Sequence, residues 1–371
     1  MLSLRGKKNA DSLDIPWRFA VAPTYDKETN PHGIICFGIA EHLQSPQHSC
    51  PSSLTIYQGP VSTDIAEYID SNVKFTTNSV CYPSVSTSNT LPAAISSHLN
   101  KYFKPLIHIT PEIVIKVNGC STAGNMLPFA LAELGDAVLV SRPVYGRFEL
   151  DYGVQGGVEV VYADTGVYEI FEVGCVKRIR ALLVVNPHNP VGRCYPPETL
   201  VEIMKFRNRY RLLISDEIYA LWDFASGGLH LGFIISQNAE LRRTCSAMLR
   251  FHSLSSAAET IGTTILQDED FVSRSTERSR RDLAYSYQIA TSILDLEAIS
   301  YVKEGECEFA LAQRLLDNGL FLHPGEEHSK EPGWFRLVFS HDEHVLTEGL
   351  RRHGSVFLCQ WLPLGTRVIN E

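Results

Sequence analysis

The chain has no C-x-x-C pair, and its nine cysteines lie singly along 371 residues. An odd, dispersed set argues against a disulfide framework or a zinc ribbon. A reducing, cytoplasmic setting is the expectation. Basic residues are outnumbered, 33 Lys and Arg against 42 Asp and Glu, for a net charge of −9. That balance suggests no basic face, so nucleic acid is not an expected partner. No apolar run approaches the ~20 residues needed to span a bilayer, so no membrane contact is expected. Met1 to Ala20 mixes charges with few apolar residues, unlike a secretory signal. Nor does a G-x-G-x-x-G follow any strand, which removes the usual support for a nicotinamide site. Repeats and low-complexity tracts are missing as well.

What is present is ordinary globular material, 44% hydrophobic and 20% charged. The length allows one large domain with a smaller partner. Gln44 to Ser53 and Pro83 to Asn89 read as loops. Helical spacing runs from Pro92 to Phe103, Thr122 to Leu134 and Glu198 to Tyr210. Strand-like runs are Ile113 to Val117, Ala137 to Val140, Val158 to Tyr162, Ala181 to Val185 and Leu212 to Ser215. Strands alternating with helices predict an α/β fold, a mostly parallel sheet with helices on both faces. Phe335 to Phe339, after a turn at Pro332-Gly333, suggests a smaller α+β domain at the C-terminal end. The expected division is 1–80 contributing to the small domain, 81–275 as the large domain and 276–371 as a truncated small domain. Chemistry in such sheets gathers beyond the carboxyl ends of strands. Asn186 to Gly192 and Asp216 to Tyr219 both lie there.

Five stretches carry a resemblance. They are Asn30-Pro31-His32-Gly33-Ile34-Ile35 with Gly38-Ile39-Ala40-Glu41; the run Asn186 to Tyr195 (N-P-H-N-P-V-G-R-C-Y); Ser215-Asp216-Glu217-Ile218-Tyr219-Ala220; His252-Ser253-Leu254-Ser255; and Trp334-Phe335-Arg336-Leu337. In order and spacing they resemble the class I/II aminotransferases of fold type I, which depend on pyridoxal 5′-phosphate (PLP). They look most like the aminocyclopropane-carboxylate-synthase-like branch. The N-P-H-N-P wording is similar to its fungal members, the aminotransferases and C–S lyases of secondary metabolism.

The resemblance implies a role for each position. Asp216 matches the carboxylate beside the pyridine nitrogen, where an anion favours the protonated ring. Asn189 and Tyr219 match donors to the ring's phenolic oxygen, with Asn189 also on the substrate side. Tyr145 matches the aromatic that stacks on the ring. Cys120-Ser121-Thr122 falls where backbone donors at a helix start hold the phosphate, and Ser253 and Ser255 match further phosphate ligands. Tyr82 matches a tyrosine that reaches the neighbouring subunit's phosphate, so a homodimer is expected. Arg336 matches the arginine that grips a substrate carboxylate, for which a planar guanidinium is suited. Glu41 matches a substrate-side acid. The implied ligand is a small amino acid or amine.

Two departures stand against this. The family places its Schiff-base lysine directly after S-x-S, followed by D-x-G-x-x-G-x-R-x-G. Here Ser256 takes the lysine's place and a shortened turn leads to Gly262, without a lysine or arginine between Phe251 and Phe271. The lysines beyond it, Lys303 and Lys330, sit in no matching motif. A second shortening follows Phe309, where Cys307-Glu308-Phe309 runs almost directly into Asn318-Gly319 and Pro324-Gly325. Three explanations stay open: a pseudoenzyme, which would bind a small amine or regulate an active paralogue; PLP held non-covalently with altered chemistry; or a mis-spliced gene. A serine cannot form an imine, so efficient transamination is not expected.

Overall fold

The computed structural model describes residues 2–11, 24–38, 61–81, 89–163, 178–210, 212–219, 227–296, 308–328, 334–358 and 367–370. Glu41, Gln44 to Ser53, Tyr82 to Ser88, Lys303, Cys307, Lys330 and Pro332-Gly333 lie outside the described residues. The helices are α1 Leu4–Asp11, α2 Val61–Asn72, α3 Thr77–Val80, α4 Thr90–Tyr102, α5 Cys120–Leu131 and α6 Phe148–Gly153, then α7 Pro197–Tyr210, α8 Ala239–His252, α9 Ser256–Gln267, α10 Glu269–Leu296, α11 Glu308–Asp317 and α12 Glu343–Leu358. The strands are β1 Ile35–Cys36, β2 Val114–Asn118, β3 Ala137–Ser141, β4 Glu159–Ala163, β5 Ile179–Val185 and β6 Leu213–Asp216, then β7 Leu231–Ile235, β8 Leu320–Phe321, β9 His323–Pro324, β10 Trp334–Leu337 and β11 Arg367–Asn370.

Four strands run parallel in the order β4-β3-β5-β6. Val138, Val140, Ala181, Leu183 and Val185 are buried among Val144, Phe148 and Tyr152. Such near-continuous apolar strands are what a sheet covered on both faces requires. A separate pair, β2 and β7, runs antiparallel. Alternation along β2 sends Val114 to a cluster with Leu91 and Ile95 of α4 and Ala258 of α9. It sends Ile115 and Val117 to the opposite cluster, with Met126 of α5 and Cys245 and Leu249 of α8. Among the described residues β6 pairs only with β5, and β7 only with β2. The chain passes from one to the other through residues 217–230 with no strand in the described part of that stretch.

The expected turn from Ser256 to Gly262 is instead the start of α9. Ser255 caps it, accepting from Ala258 N–H at 3.1 Å. Ala258, Ile261 and Ile265 recur at helical spacing and are buried. Glu259, only 7% exposed, takes both of its oxygens to Lys116 Nζ, at 2.7 and 2.8 Å. The α5 helix opens at Cys120, two residues before the expected Thr122.

A further core joins both ends of the chain. Ile35 and Phe37 pack with Leu311, Leu315, Leu320, Phe335 and Leu350. Arg352 ties the seam: it donates to the carbonyls of Pro31, Gly33 and Gly319 at 2.8, 2.7 and 2.9 Å. No helix among the described residues is long and apolar enough to cross a membrane.

Candidate active site

The ends of β5 and β6 meet in register, Val185 opposite Asp216. Asn186 N–H donates to the Asp216 carbonyl at 2.9 Å. The Asn186 side chain accepts from Tyr195 N–H at 3.0 Å, which folds the 186–195 loop back on itself. Tyr195 in turn lies 2.8 Å from the Ser141 hydroxyl at the end of β3. Gly192 closes the turn at φ 67°, a conformation glycine takes without strain. So held, Asn189 is 2% exposed and donates through Nδ2 to the Tyr219 hydroxyl at 2.5 Å. Its Oδ1 faces Arg336, 3.4 Å away. Arg336 is buried in β10 and also donates to the Gly38 carbonyl. Three distant stretches thus converge on Asn189.

Beside them lie two partly buried acids, Asp216 and Asp151. Asp216 Oδ1 accepts from Ile218 N–H at 3.1 Å, and burial raises its carboxyl above the usual range. Asp151, on α6, rests against α5: a Cβ built on Gly124 would lie 3.1 Å from the Asp151 Cβ. Burial lifts Asp151 to about 7, Arg147 pulling down and the Asp216 charge pushing up. The Cys120 thiol is pushed up to about 12 by burial, then by Asp216 and Asp151. Burial likewise raises the Tyr145 phenol, with Asp151 and Asp216 adding and Arg147 and Arg336 opposing. Asp216, Tyr145 and Cys120 therefore share one neighbourhood. Asp151 belongs to it too, although no motif in the sequence marks it; its only signal is a carboxylate between Phe148 and Tyr152, both buried.

The expected phosphate side is arranged differently. Gly119 precedes α5 at φ 83°. Thr122 turns its hydroxyl back to the Asn118 carbonyl at 2.6 Å, and Ser121 is exposed. His230, itself at φ 50°, overlies this start: a Cβ on Gly119 would meet His230 Nδ1 at 3.3 Å. Ser253 ends α8, its N–H donating to the Leu249 carbonyl. Ser255 caps α9, and Ser256 donates to the Cys81 carbonyl at 2.8 Å. Their hydrogen bonds serve helix ends and the chain before Tyr82, not Asp216 or Asn189. Tyr82 and Glu41 are outside the described residues.

A family model described as aminotransferase class I and II matches residues 81–227 and 222–352. The chain is 26% identical to 1-aminocyclopropane-1-carboxylate synthase-like protein 1 of Mus musculus over 417 aligned residues, covering 92% of this chain and 80% of that protein. It is 26% identical to aminotransferase verI of Clonostachys rogersoniana, over 73% of this chain and 77% of that one. Among solved structures it superposes on a Thermus thermophilus aspartate aminotransferase tetra mutant complexed with tryptophan with a TM-score of 0.71, at 19% identity and covering 96% of this chain and 99% of that one. That likeness supplies the fold, and the two-part match covers most of the sequence: the chain belongs to the aminotransferase class I and II family.

Proposed function

We propose that this protein recognises a small amino acid or amino-acid conjugate at a PLP-type site and has lost efficient turnover. The observation that carries the reading is the Asn189 junction, where Tyr219 and Arg336 are joined through one buried amide. The residues fit the ring-holding half of the cofactor. Asp216 is a carboxylate raised by burial, and among the described residues a backbone N–H is its partner. A protonated pyridine nitrogen beside it would offset that burial. Tyr145 would cover the ring and Tyr219 would hold its phenolic oxygen. When bound, the cofactor supplies an electron sink. Arg336 would orient a carboxylate, as a forked guanidinium does.

The anchoring half does not fit. Ser256 offers no amine, and it opens a helix. A second register suits the chain better. The family spacing D-x-G-x-x-G-x-R-x-G is met at Asp223, Gly228 and Gly232, with Ala225 in place of its first glycine, His230 in place of the arginine and Trp222 in the lysine's place. Three observations support it. The family match divides at 222–227. The 417 positions aligned with the mouse relative outnumber the chain's own 371, so that relative carries segments this chain lacks. Between β6 and β7 no described strand intervenes. In either register there is no lysine at the attachment point. The serines at 253 and 255 then belong to helix ends, and the phosphate side is left to Cys120, Ser121, Thr122 and His230.

The remaining parts of the proposal are a homodimer completed through Tyr82, a cytoplasmic setting, a place in fungal secondary metabolism suggested by the 186–195 wording, and division of the chain at 1–80, 81–275 and 276–371. Absorption titration with PLP tests the core of it. Reversible binding is expected, with no lysine adduct after borohydride reduction and mass spectrometry. Asp216→Ala is expected to weaken PLP at least about tenfold, the scale of one charge-assisted contact. A reduced lysine adduct would sink the loss of attachment, and unchanged affinity in the variant would remove Asp216 from the site.

A further inference from the structure

Tyr145 sits on the short connection between β3, which ends at Ser141, and α6, which opens at Phe148. Its ring meets Phe148 edge-on, at 5.2 Å between centroids and 81° between planes. Phe148 N–H donates to the Tyr145 carbonyl at 3.3 Å. The Tyr145 side chain stays partly exposed, while Val144 before it is buried. An edge contact of this kind leaves a tyrosine free to swing unless its backbone is fixed.

The backbone is fixed from 184 residues away. His328 ends the short 3-10 turn Gly325–His328 and grips Val144 by both of its backbone groups. The His328 carbonyl accepts from the Val144 N–H at 2.9 Å. The His328 ring Nδ1 lies 3.1 Å from the Val144 carbonyl oxygen. A carbonyl oxygen only accepts, so Nδ1 carries the hydrogen. Burial, with the Arg336 charge adding, holds His328 down at about 3, so the ring is neutral near pH 7. Val144 and His328 are 1% and 3% exposed, so water does not compete for the pair of bonds. Gly146 completes the seat, since a Cβ there would collide with the Glu327 carbonyl oxygen. The turn is tied in its own right to the Arg336 strand. It follows β9 directly, and β9 pairs with β10, His323 opposite Arg336. A Cβ on Gly325 would lie 2.8 Å from the Trp334 carbonyl oxygen, so turn and β10 are in close contact.

Resting on the reading of Tyr145 as the aromatic that stacks on the cofactor ring, we infer that His328 is a positioning residue, which fixes residues 144–146 so that the Tyr145 ring stands over the cofactor's place and ties that placement to the strand pair carrying Arg336. Removing the imidazole leaves the Val144 carbonyl without its donor and the connection held by one backbone bond. A bond that served stability alone would alter unfolding and leave the surroundings of a bound cofactor as they were. A positioning bond alters those surroundings.

PLP titration of the 371-residue protein, read by absorption and by the circular dichroism induced in the cofactor band, reports affinity and ring placement together. Tyr145→Leu supplies the values without stacking. His328→Leu is expected to weaken PLP roughly three- to tenfold, the scale of one lost hydrogen bond, and to move the induced signal towards that of Tyr145→Leu. His328→Asn, whose amide keeps a donor where Nδ1 stands, should restore both. In the Tyr145→Leu background, His328→Leu should make no further difference to PLP. If His328→Leu does not fold, Gly146→Ala, which pushes the connection off Glu327, should show the same two changes. If neither folds, the unaltered protein decides: PLP should slow hydrogen exchange at the Val144 amide, because linked equilibria act both ways. Wild-type affinity and induced signal in the folded variant, a further loss in the Tyr145→Leu background, or unchanged Val144 exchange overturns the inference and leaves Tyr145 as the stacking residue. If PLP does not bind, or if Tyr145→Leu matches wild type in both readouts, the stacking reading falls and this inference with it.

Discussion

The 186–195 loop and the serine run at 253–256 both carry family wording, yet they fold into different duties. In the first, both asparagines of the wording are turned inward: Asn186 to Tyr195, Asn189 to Tyr219 and Arg336. In the second, the hydroxyls finish helices. Ser255 caps α9 and Ser256 reaches the Cys81 carbonyl. The polar groups stay gathered where neighbouring strands hold them. Beyond the end of β6, where that neighbourhood stops, the same residue types have become part of the packing.

The largest effect expected from this contrast lies under the serine run. Lys116→Ala should destabilise the fold by about 3–5 kcal/mol in chemical denaturation, because it strands the buried Glu259 carboxylate. Replacing Lys116 and Glu259 together by methionine should recover most of that. If the single change is nearly neutral, the α9 side is looser than the contrast requires.

Asp151→Asn sharpens the other side. Folded Asp151 keeps its proton to about pH 7, and the unfolded chain releases it in the ordinary carboxylate range. Between those limits the folded state binds more protons, so this group lowers stability as pH rises and does so fully above 7. The asparagine variant should therefore gain on wild type between pH 4 and pH 8, by on the order of 4 kcal/mol at most. A difference that is flat with pH would separate Asp151 from Asp216.

Asn189→Ala removes the amide that joins Tyr219 and Arg336, and should cost about 1–3 kcal/mol of stability through the partners left unsatisfied. It should also weaken PLP, read by absorption. Ser255→Ala should cost about 1 kcal/mol, the scale of a lost N-cap, while PLP affinity stays put. A large fall in PLP affinity with Ser255→Ala would restore that serine to the phosphate. The smallest change is expected of Ser256→Lys, which should produce no reducible cofactor adduct at 256 by mass spectrometry.

Much of the first region was legible because strand and loop announce themselves together. Ala181 to Val185 is an unbroken apolar run that stops at Asn186-Pro187, and the observed β5 ends at Val185. Leu212 to Ser215 differs from β6 by one residue at each end. The serine run was harder, because S-x-S serves a phosphate and a helix cap equally well. Ser255 ahead of Ala258, Ile261 and Ile265 at helical spacing is also the pattern of a capped helix start, and here the local signal prevailed. Asp151 was invisible for another reason: a single acid on a short amphipathic helix has no spacing to betray it. The β2–β7 pairing joins residues more than a hundred positions apart, and nothing local specifies it.

Arg352 binds carbonyls at Pro31 and Gly33 from a position more than three hundred residues later. During synthesis the chain leaves the ribosome from its N-terminal end. The segment that carries Tyr25, Ile35 and Phe37 must therefore wait for almost the whole protein before its seat exists. For most of translation its apolar side chains have no native place to go, and they are open to a chaperone or to another nascent chain. Docking of this early segment is then a late event in folding, and a ribosome stalled before residue 352 should hold it in a protease-sensitive state.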